Sequence, residues 1–341
     1  MEKVLVTGSA GFIGGYLVSE LLSQGYSVIG LDNLSKYGRV SRAFDESANY
    51  SFIQGDARDK DLLQELLFDC DHVIAGAALI GGISYFHTYA YDLLANNEKM
   101  IAALCDAAIA TKNAGRPLKK VTYMSSSMVF ESTDRWPSVE GDERLVPPPH
   151  SSYGFQKLAV EYFAKAAWDQ YQLPYTICRP FNCVGIGESR ALGGASIRSG
   201  NVELAMSHVV PDIIQKILRG QNPLHLLGDG NQIRHYTYGG DLARGVVQAM
   251  KHPDAWNQDF NLSTAESTTV IELAQLIWLK INGEIPFSAT FDEPFQHDVQ
   301  KRIPSTEKAK NLIGFEATTT LSEMLDEVIP WIREAIRMNL I

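Results

Sequence analysis

The sequence predicts an α/β protein: a doubly wound parallel sheet with a smaller α/β lobe. Two observations carry that expectation. An apolar strand-like run, Lys3-Val4-Leu5-Val6-Thr7, breaks into the glycine turn Gly8-Ser9-Ala10-Gly11-Phe12-Ile13-Gly14, and Ile13, Leu17 and Leu21 then recur at helical spacing. Strand and helix signals go on alternating through the first half of the chain, the order that parallel strands joined by crossover helices require.

Taken in order, the glycine turn comes first. In a strand–turn–helix unit the first glycine turns the chain tightly, the second lets backbone approach a pyrophosphate, and the third lets the helix pack against the strand. Helix N-terminal N–H groups then face the phosphates. The spacing is G-x-x-G-x-x-G rather than G-x-G-x-x-G, and the flanking strand and helix supply the context the motif needs. This predicts a Rossmann-like dinucleotide site. The next strand, Ser27 to Leu31, ends at Asp32-Asn33-Leu34-Ser35. An acid at that point accepts hydrogen bonds from ribose hydroxyls and repels a 2′-phosphate, which favours NAD over NADP. Arg39 and Arg42 are the nearby cations suited to a 2′-phosphate, but they follow the acid by most of a loop. Asp56, after a third strand, is placed to reach the adenine amine; the alternative is a helix cap for the segment beginning at Asp59.

Further core strands are expected at His72 to Ala75, Lys120 to Met124 and Tyr175 to Cys178, with helices at about Asp92 to Thr111 and Ser152 to Tyr171. The strand at Lys120 ends in Ser125-Ser126-Ser127-Met128-Val129-Phe130, at the carboxyl edge where such sheets bind ligands. After Pro147-Pro148-Pro149, a helix capped by Ser151 or Ser152 carries Tyr153 and Lys157 four residues apart, on one face. Tyrosine is a poor base at its ordinary pKa near 10, and a neighbouring ammonium together with a positive nicotinamide would favour the phenolate. A serine hydroxyl opposite would bridge substrate oxygen and phenol. Beyond Arg179-Pro180-Phe181-Asn182 the alternation loosens, and the glycine- and serine-rich stretch 185–201 reads as a mobile substrate loop. The remainder alternates short helices and strands and suits a small covering lobe.

Composition narrows the function. A net charge of −10 over 341 residues argues against a nucleic-acid surface. No apolar run approaches the ~18 residues of a membrane span, and Met1 leads almost directly into a strand, so neither span nor signal peptide is expected. Cys70, Cys105, Cys178 and Cys183 show no C-x-x-C spacing and read as reduced residues of a cytoplasmic protein without a metal site.

These residues resemble the extended short-chain dehydrogenases/reductases, specifically the NAD-dependent nucleotide-sugar epimerase/dehydratase group. The resemblance covers nearly the whole chain. It includes Gly8-x-x-Gly11-x-x-Gly14, the Asp32-Asn33-Leu34 turn typical of UDP-galactose 4-epimerases, the serine strand end, Tyr153/Lys157 and Arg179-Pro180-Phe181-Asn182. It continues through Ser207-His208-Val209-Val210-Pro211, Gly228-Asp229-Gly230-Asn231-Gln232-Ile233-Arg234, Asp241-Leu242-Ala243 and Gln300-Lys301-Arg302-Ile303-Pro304. It implies Ser126 as catalytic hydroxyl, Tyr153 as acid/base, and Lys157 as its partner, also bonded to the nicotinamide ribose. It implies cofactor contacts from Gly8, Gly11, Phe12, Ile13, Gly14, Asp32, Asn33, Asp56, Ala57, Ala75, Ala77 and Asn97. Ser126, Ser127, Asn182, His208, Arg234 and Arg302 become substrate residues. The arginines have independent physical sense, because a guanidinium fork matches phosphate oxygens, although it serves carboxylates equally well. Residues 1–180 are expected to form the NAD-binding domain, with return segments near 224–262, and 181–341 mainly the nucleotide-sugar lobe. A homodimer is the family expectation.

Departures from the family narrow the reaction. Its dehydratases carry Asp-Glu where Ser127-Met128 stand, its decarboxylases carry Glu where Met128 stands, and its 3,5-epimerases carry a cysteine there to exchange carbon-bound protons. Methionine can do none of these jobs. What remains is NAD-dependent epimerisation at C4 through a transient 4-keto sugar. His208 leaves an alternative open, since GDP-fucose synthase uses a histidine at the matching position as an acid, whereas other 4-epimerases use that position to hold the diphosphate. Phe130-Glu131 in place of the usual Tyr-Gly, and Ile80 where some 4-epimerases have lysine, mark a divergent member. The rival readings are a 2- or 3,5-epimerase, a 4-keto reductase, and a non-catalytic dinucleotide-binding protein.

Overall fold

The computed structural model describes residues 1–80, 89–188, 208–294 and 298–341. The core is a seven-stranded sheet, parallel throughout, built from β1 (Lys3–Thr7), β2 (Ser27–Asp32), β3 (Tyr50–Gln54), β4 (His72–Ala75), β5 (Lys120–Met124), β6 (Tyr175–Pro180) and, far along the chain, Gln258–Leu262. Reading across the sheet, β3, β2 and β1 are followed by β4, β5, β6 and the late strand. The strand order therefore reverses between β1 and β4, and a crevice opens there at the carboxyl ends, where open α/β sheets bind ligands. This is the doubly wound sheet that the alternation predicts.

Apolar residues on both faces of the central strands explain the layering. A strand covered on both sides needs no alternation of apolar and polar residues, and Val4, Leu5 and Val6 are accordingly all fully buried. One face packs against the helices Lys60–Phe68, Ala90–Asn113 and Ser152–Tyr171 through Leu63, Leu104, Ala108 and Val160. The other packs against α1 (Phe12–Ser23) and the helix Gly239–Lys251 through Leu17, Val18, Leu21, Val246 and Met250. A separate core joins the helices Val209–Leu218, Val270–Asn282 and Leu321–Arg337 through Ile214, Leu273, Leu325 and Ile332. Within the stretch 224–262, the strand Leu224–Leu227 pairs with Ala289–Asp292 beside that second core, whereas Gln258–Leu262 joins the large sheet.

The helix Ser152–Tyr171 positions the Tyr153/Lys157 pair. Of the two candidate caps, Ser151 is the one used: its Oγ accepts from Gly154 N–H at 3.0 Å. Such a cap is worth about 1 kcal/mol. Among the described residues, no helix is long and apolar enough to cross a membrane. The expected substrate loop lies outside the described residues from 189 to 201, as does Ser207.

Candidate active site

A cleft of about 690 Å³ runs along the carboxyl edge of the sheet and on between the two cores. At its floor, Gly8 has φ +76°, and a Cβ there would stand 2.9 Å from Ala77. A Cβ on Gly14 would stand 2.0 Å from the Gly8 carbonyl oxygen, so only glycine lets α1 start this close to β1. The N-cap of α1, Gly11, provides no side-chain cap, and the first-turn N–H groups stay available for an anion at the cleft wall. These features fit a dinucleotide pyrophosphate. Phe12, Ile13, Asn33, Ala57 and Ala77 line the same stretch. Asp32 reaches it too, with its carboxylate fixed by N–H donation from Ala10 (3.1 Å) and Leu34 (2.8 Å). Burial pushes that carboxyl upward while the two N–H groups oppose the shift.

Three of the cofactor residues named from the sequence stand elsewhere. Asp56 does not line the cleft; it forms an ion pair with Arg58 at 2.6 Å, which holds its carboxyl below the ordinary range. Nor is it the helix cap, because Asp59 accepts from the N–H groups of Asp61 and Leu62. Ala75 lies at the end of β4, outside the cleft. Asn97 is buried behind it, accepting from Leu79 N–H at 2.7 Å and donating to Leu79 C=O at 3.0 Å, so it shapes the wall through backbone. Arg42 donates to the Gly11 carbonyl oxygen at 3.4 Å, and Arg39 is exposed; neither lines the cleft.

Ser126, Ser127, Tyr153 and Lys157 come together midway along the cleft, all buried. The Ser126 hydroxyl lies close enough to the Tyr153 phenol to act on its ionisation, and it accepts from Met128 N–H at 3.2 Å. Lys157 Nζ donates to Met124 C=O at 2.8 Å and stands 5.9 Å from the Tyr153 ring centroid. Burial pushes the Tyr153 phenol up, and Ser126 and then Arg302 act to lower it. Burial brings Lys157 itself down to about 8. The physical reason is shared desolvation: both groups lie in the same dry wall, which disfavours the charged form of each.

Behind this pair lies a buried charge network. Ser125 Oγ donates to Glu161 at 2.7 Å, and Arg179 donates to both Glu161 oxygens, at 2.7 and 2.6 Å, and to Asp259 at 2.7 Å. The carboxylates of Glu143, Glu161 and Asp259 converge, with the Arg179 guanidinium among them. Removing one partner would leave a buried charge uncompensated, at about 3–5 kcal/mol. The network thus anchors the end of β5 from which Ser126 projects.

Farther along, Asn182, Arg234 and Arg302 line the cleft. Arg302 Nη1 has a 3.4 Å contact with Asn182 Oδ1, and its Nε has no hydrogen-bond partner among the described residues. Arg234 donates to the carbonyls of Ile233 (2.9 Å) and Gln300 (3.3 Å), with Asp298 3.6 Å away. Burial, then the nearby Arg234 charge, brings Arg302 down to about 10. Two guanidiniums held close together with so little counter-charge suit an anion rich in oxygen. His208, half-exposed at the start of Val209–Leu218, contacts Glu188 through Nδ1. Sequence reasoning missed Tyr236 and the carboxylate of Glu131 in this cleft. Tyr236 OH is buried without a hydrogen-bond partner among the described residues. The signal for Tyr236 was its position two residues after Arg234 in an extended segment, which puts both side chains on one face.

Comparison with known proteins agrees with this geometry. A sequence model described as the NAD dependent epimerase/dehydratase family matches residues 4–263. The chain is 28% identical over 349 residues to a UDP-glucose 4-epimerase of Halalkalibacterium halodurans, covering 97% of this chain and 96% of that protein. It is also 28% identical over 341 residues to a UDP-N-acetyl-alpha-D-glucosaminuronate decarboxylase of Bacillus cytotoxicus, covering 98% of each. The structure of UDP-glucose 4-epimerase from Thermotoga maritima with UDP-glucose superposes with a TM-score of 0.79 at 26% identity, covering 98% of this chain and 99% of that one. The chain belongs to the NAD dependent epimerase/dehydratase family, and its cofactor is NAD.

Proposed function

We propose that this family member epimerises a nucleoside-diphosphate sugar at C4 through a transient 4-keto sugar. The observation that carries the reading is the meeting of buried Ser126, Tyr153 and Lys157 in one cleft with two weakly paired arginines. Gly8, Gly11 and Gly14 would hold the NAD pyrophosphate, Asp32 the adenosine ribose, and Lys157 the nicotinamide ribose. When bound, NAD supplies the means to oxidise C4 and then reduce it again. Tyr153 takes the C4 hydroxyl proton and later returns it, with the Ser126 hydroxyl bridging sugar oxygen and phenol. Arg234 and Arg302 hold the diphosphate while the keto sugar turns over between the two halves of the reaction. UDP is the first nucleotide to try, given the relatives named above.

Met128 separates this reading from its rivals. Buried in the cleft wall beside Ser126, it offers no ionisable group to a sugar carbon. With C4-deuterated UDP-glucose the label should therefore stay on C4 of the product, and in deuterated water no carbon should gain label. Solvent deuterium at C3 or C5 would point instead to His208 acting as an acid in a 3,5-epimerase. Net consumption of NADH or NADPH would indicate a reductase, and no turnover with any nucleotide sugar would favour a binding protein.

A further inference from the structure

We infer that the carboxylate of Glu131 makes the sugar end of this cleft select a neutral, hydroxyl-bearing hexose and reject a uronate. The inference rests on the sugar-nucleotide reading above and names its substrate class. Glu131 closes the short helical turn Ser127–Phe130 that begins at Ser126, with its N–H donating to Met128 C=O at 3.1 Å. Its side chain folds back onto the start of the next helix. Oε2 accepts from both the N–H and the hydroxyl of Ser151, each at 2.9 Å. A Cβ added to Gly154, the residue after Tyr153, would lie 3.0 Å from the same oxygen. The carboxylate is thus fixed beside the acid/base residue by two donors. Its other oxygen, Oε1, makes no hydrogen bond with a described residue, and Glu131 lines the cleft beside Ser126, His150 and Tyr153.

An ionised carboxylate accepts hydrogen bonds and donates none. Oε1 therefore rewards a hydroxyl near C4, such as the C6 hydroxyl of a hexose, and repels the C6 carboxylate of a uronate. Glu131 is partly buried in the cleft wall, where charges interact more strongly than at an open surface. The nearby cation Arg302 does not cancel it, because the diphosphate of the bound substrate engages that charge and Arg302 faces both Glu131 and Arg234. A uronate would have to bring its own carboxylate next to one that two donors already hold in place.

The test is calorimetric titration of NAD-loaded protein with UDP-glucose and with UDP-glucuronate, in a Tyr153→Phe background so that turnover does not disturb the heats. With Glu131 present, UDP-glucose should bind at least tenfold more tightly, a difference of ~1.4 kcal/mol. Glu131→Gln keeps an acceptor for Ser151 but removes the charge, and it should bring the two affinities within about threefold, chiefly by tightening UDP-glucuronate. Equal affinity with Glu131 present overturns the inference whether or not the variant folds, and so does a ratio that survives Glu131→Gln. Binding of neither UDP-sugar overturns this inference as stated for UDP-sugars, whereas the sugar-nucleotide reading falls only if GDP-, CDP- and dTDP-sugars also fail to bind.

Discussion

Replacing Arg302 by methionine should make the free protein more stable and the ligand-binding protein worse, two effects of opposite sign from one substitution. Burial brings Arg302 well below the ordinary arginine range, to about 10 in the fold. At about 1.36 kcal/mol per pH unit this is a cost near 3 kcal/mol, and access of the cleft to water reduces it to about 1–3 kcal/mol. The sign follows from proton counting. Between pH 10 and the ordinary arginine range the unfolded chain binds more protons than the folded one, so the cost is fully present below pH 10 and is relieved only as the pH rises above it. At pH 7 a methionine of similar length escapes the whole cost, as hydrophobic replacements of buried charges often do. At about 2 °C per kcal/mol for a chain of this size, the melting temperature without sugar nucleotide should rise by about 2–6 °C. The loss appears when ligand is added: a charge-assisted contact worth about 1.5–3 kcal/mol disappears, and the Kd for UDP-glucose should rise by roughly 10- to 150-fold. Thermal unfolding with and without UDP-glucose reads both effects. A variant that is less stable without ligand and binds UDP-glucose as tightly as the native protein would refute the argument.

Tyr153→Phe should lower kcat by about 10²-fold or more with little change in nucleotide affinity, as loss of the proton acceptor requires; near-native turnover would make Tyr153 a structural helix residue. Asp32→Ala should weaken NAD binding by roughly tenfold and erode the preference over NADP, measured by titration of both cofactors, whereas equal affinity of the native protein for the two would remove the role given to Asp32. Lys157, held at about 8 in the fold against an ordinary 10.5, costs stability at neutral pH that is relieved between pH 8 and 10.5. The advantage of Lys157→Met over the native protein in denaturant midpoint should therefore shrink from pH 7 to pH 10, and a constant difference would contradict the assigned shift.

The nucleotide half of the fold was legible because its chemistry is local. Gly8, Gly11 and Gly14 announce a backbone constraint within seven residues of sequence, and the apolar runs at His72, Lys120 and Tyr175 are long enough to declare buried strands. The strand Gln258–Leu262 was harder, since its partner β6 lies some 80 residues earlier and no local pattern records that pairing. Asp56 shows the limit for single side chains. Its position after β3 suits a cofactor contact, but the carboxylate is taken by Arg58 two residues on, a competition visible only once both side chains are placed. Tyr153 shows the limit for electrostatics: i,i+4 spacing identifies Lys157 as a neighbour on the helix, yet it says nothing of the dry wall that raises the phenol or of Arg302 arriving from 149 positions later.

That last contact changes how the acid/base pair should be understood. Arg302 is one charge that acts to lower Tyr153, and it is also a cation proposed to hold the diphosphate. When the diphosphate engages Arg302, part of the help given to the phenolate is withdrawn at the moment it is needed. The compensation has to come from elsewhere in the cleft, and two sources have the right sign: Lys157, still largely charged below pH 8, and the positive nicotinamide of oxidised NAD. On the mechanism proposed above, a phenol held protonated by burial in the free protein would lose its proton readily only with the oxidised cofactor in place, and the burial of Tyr153 and Lys157 would make the proton transfer conditional on a loaded site.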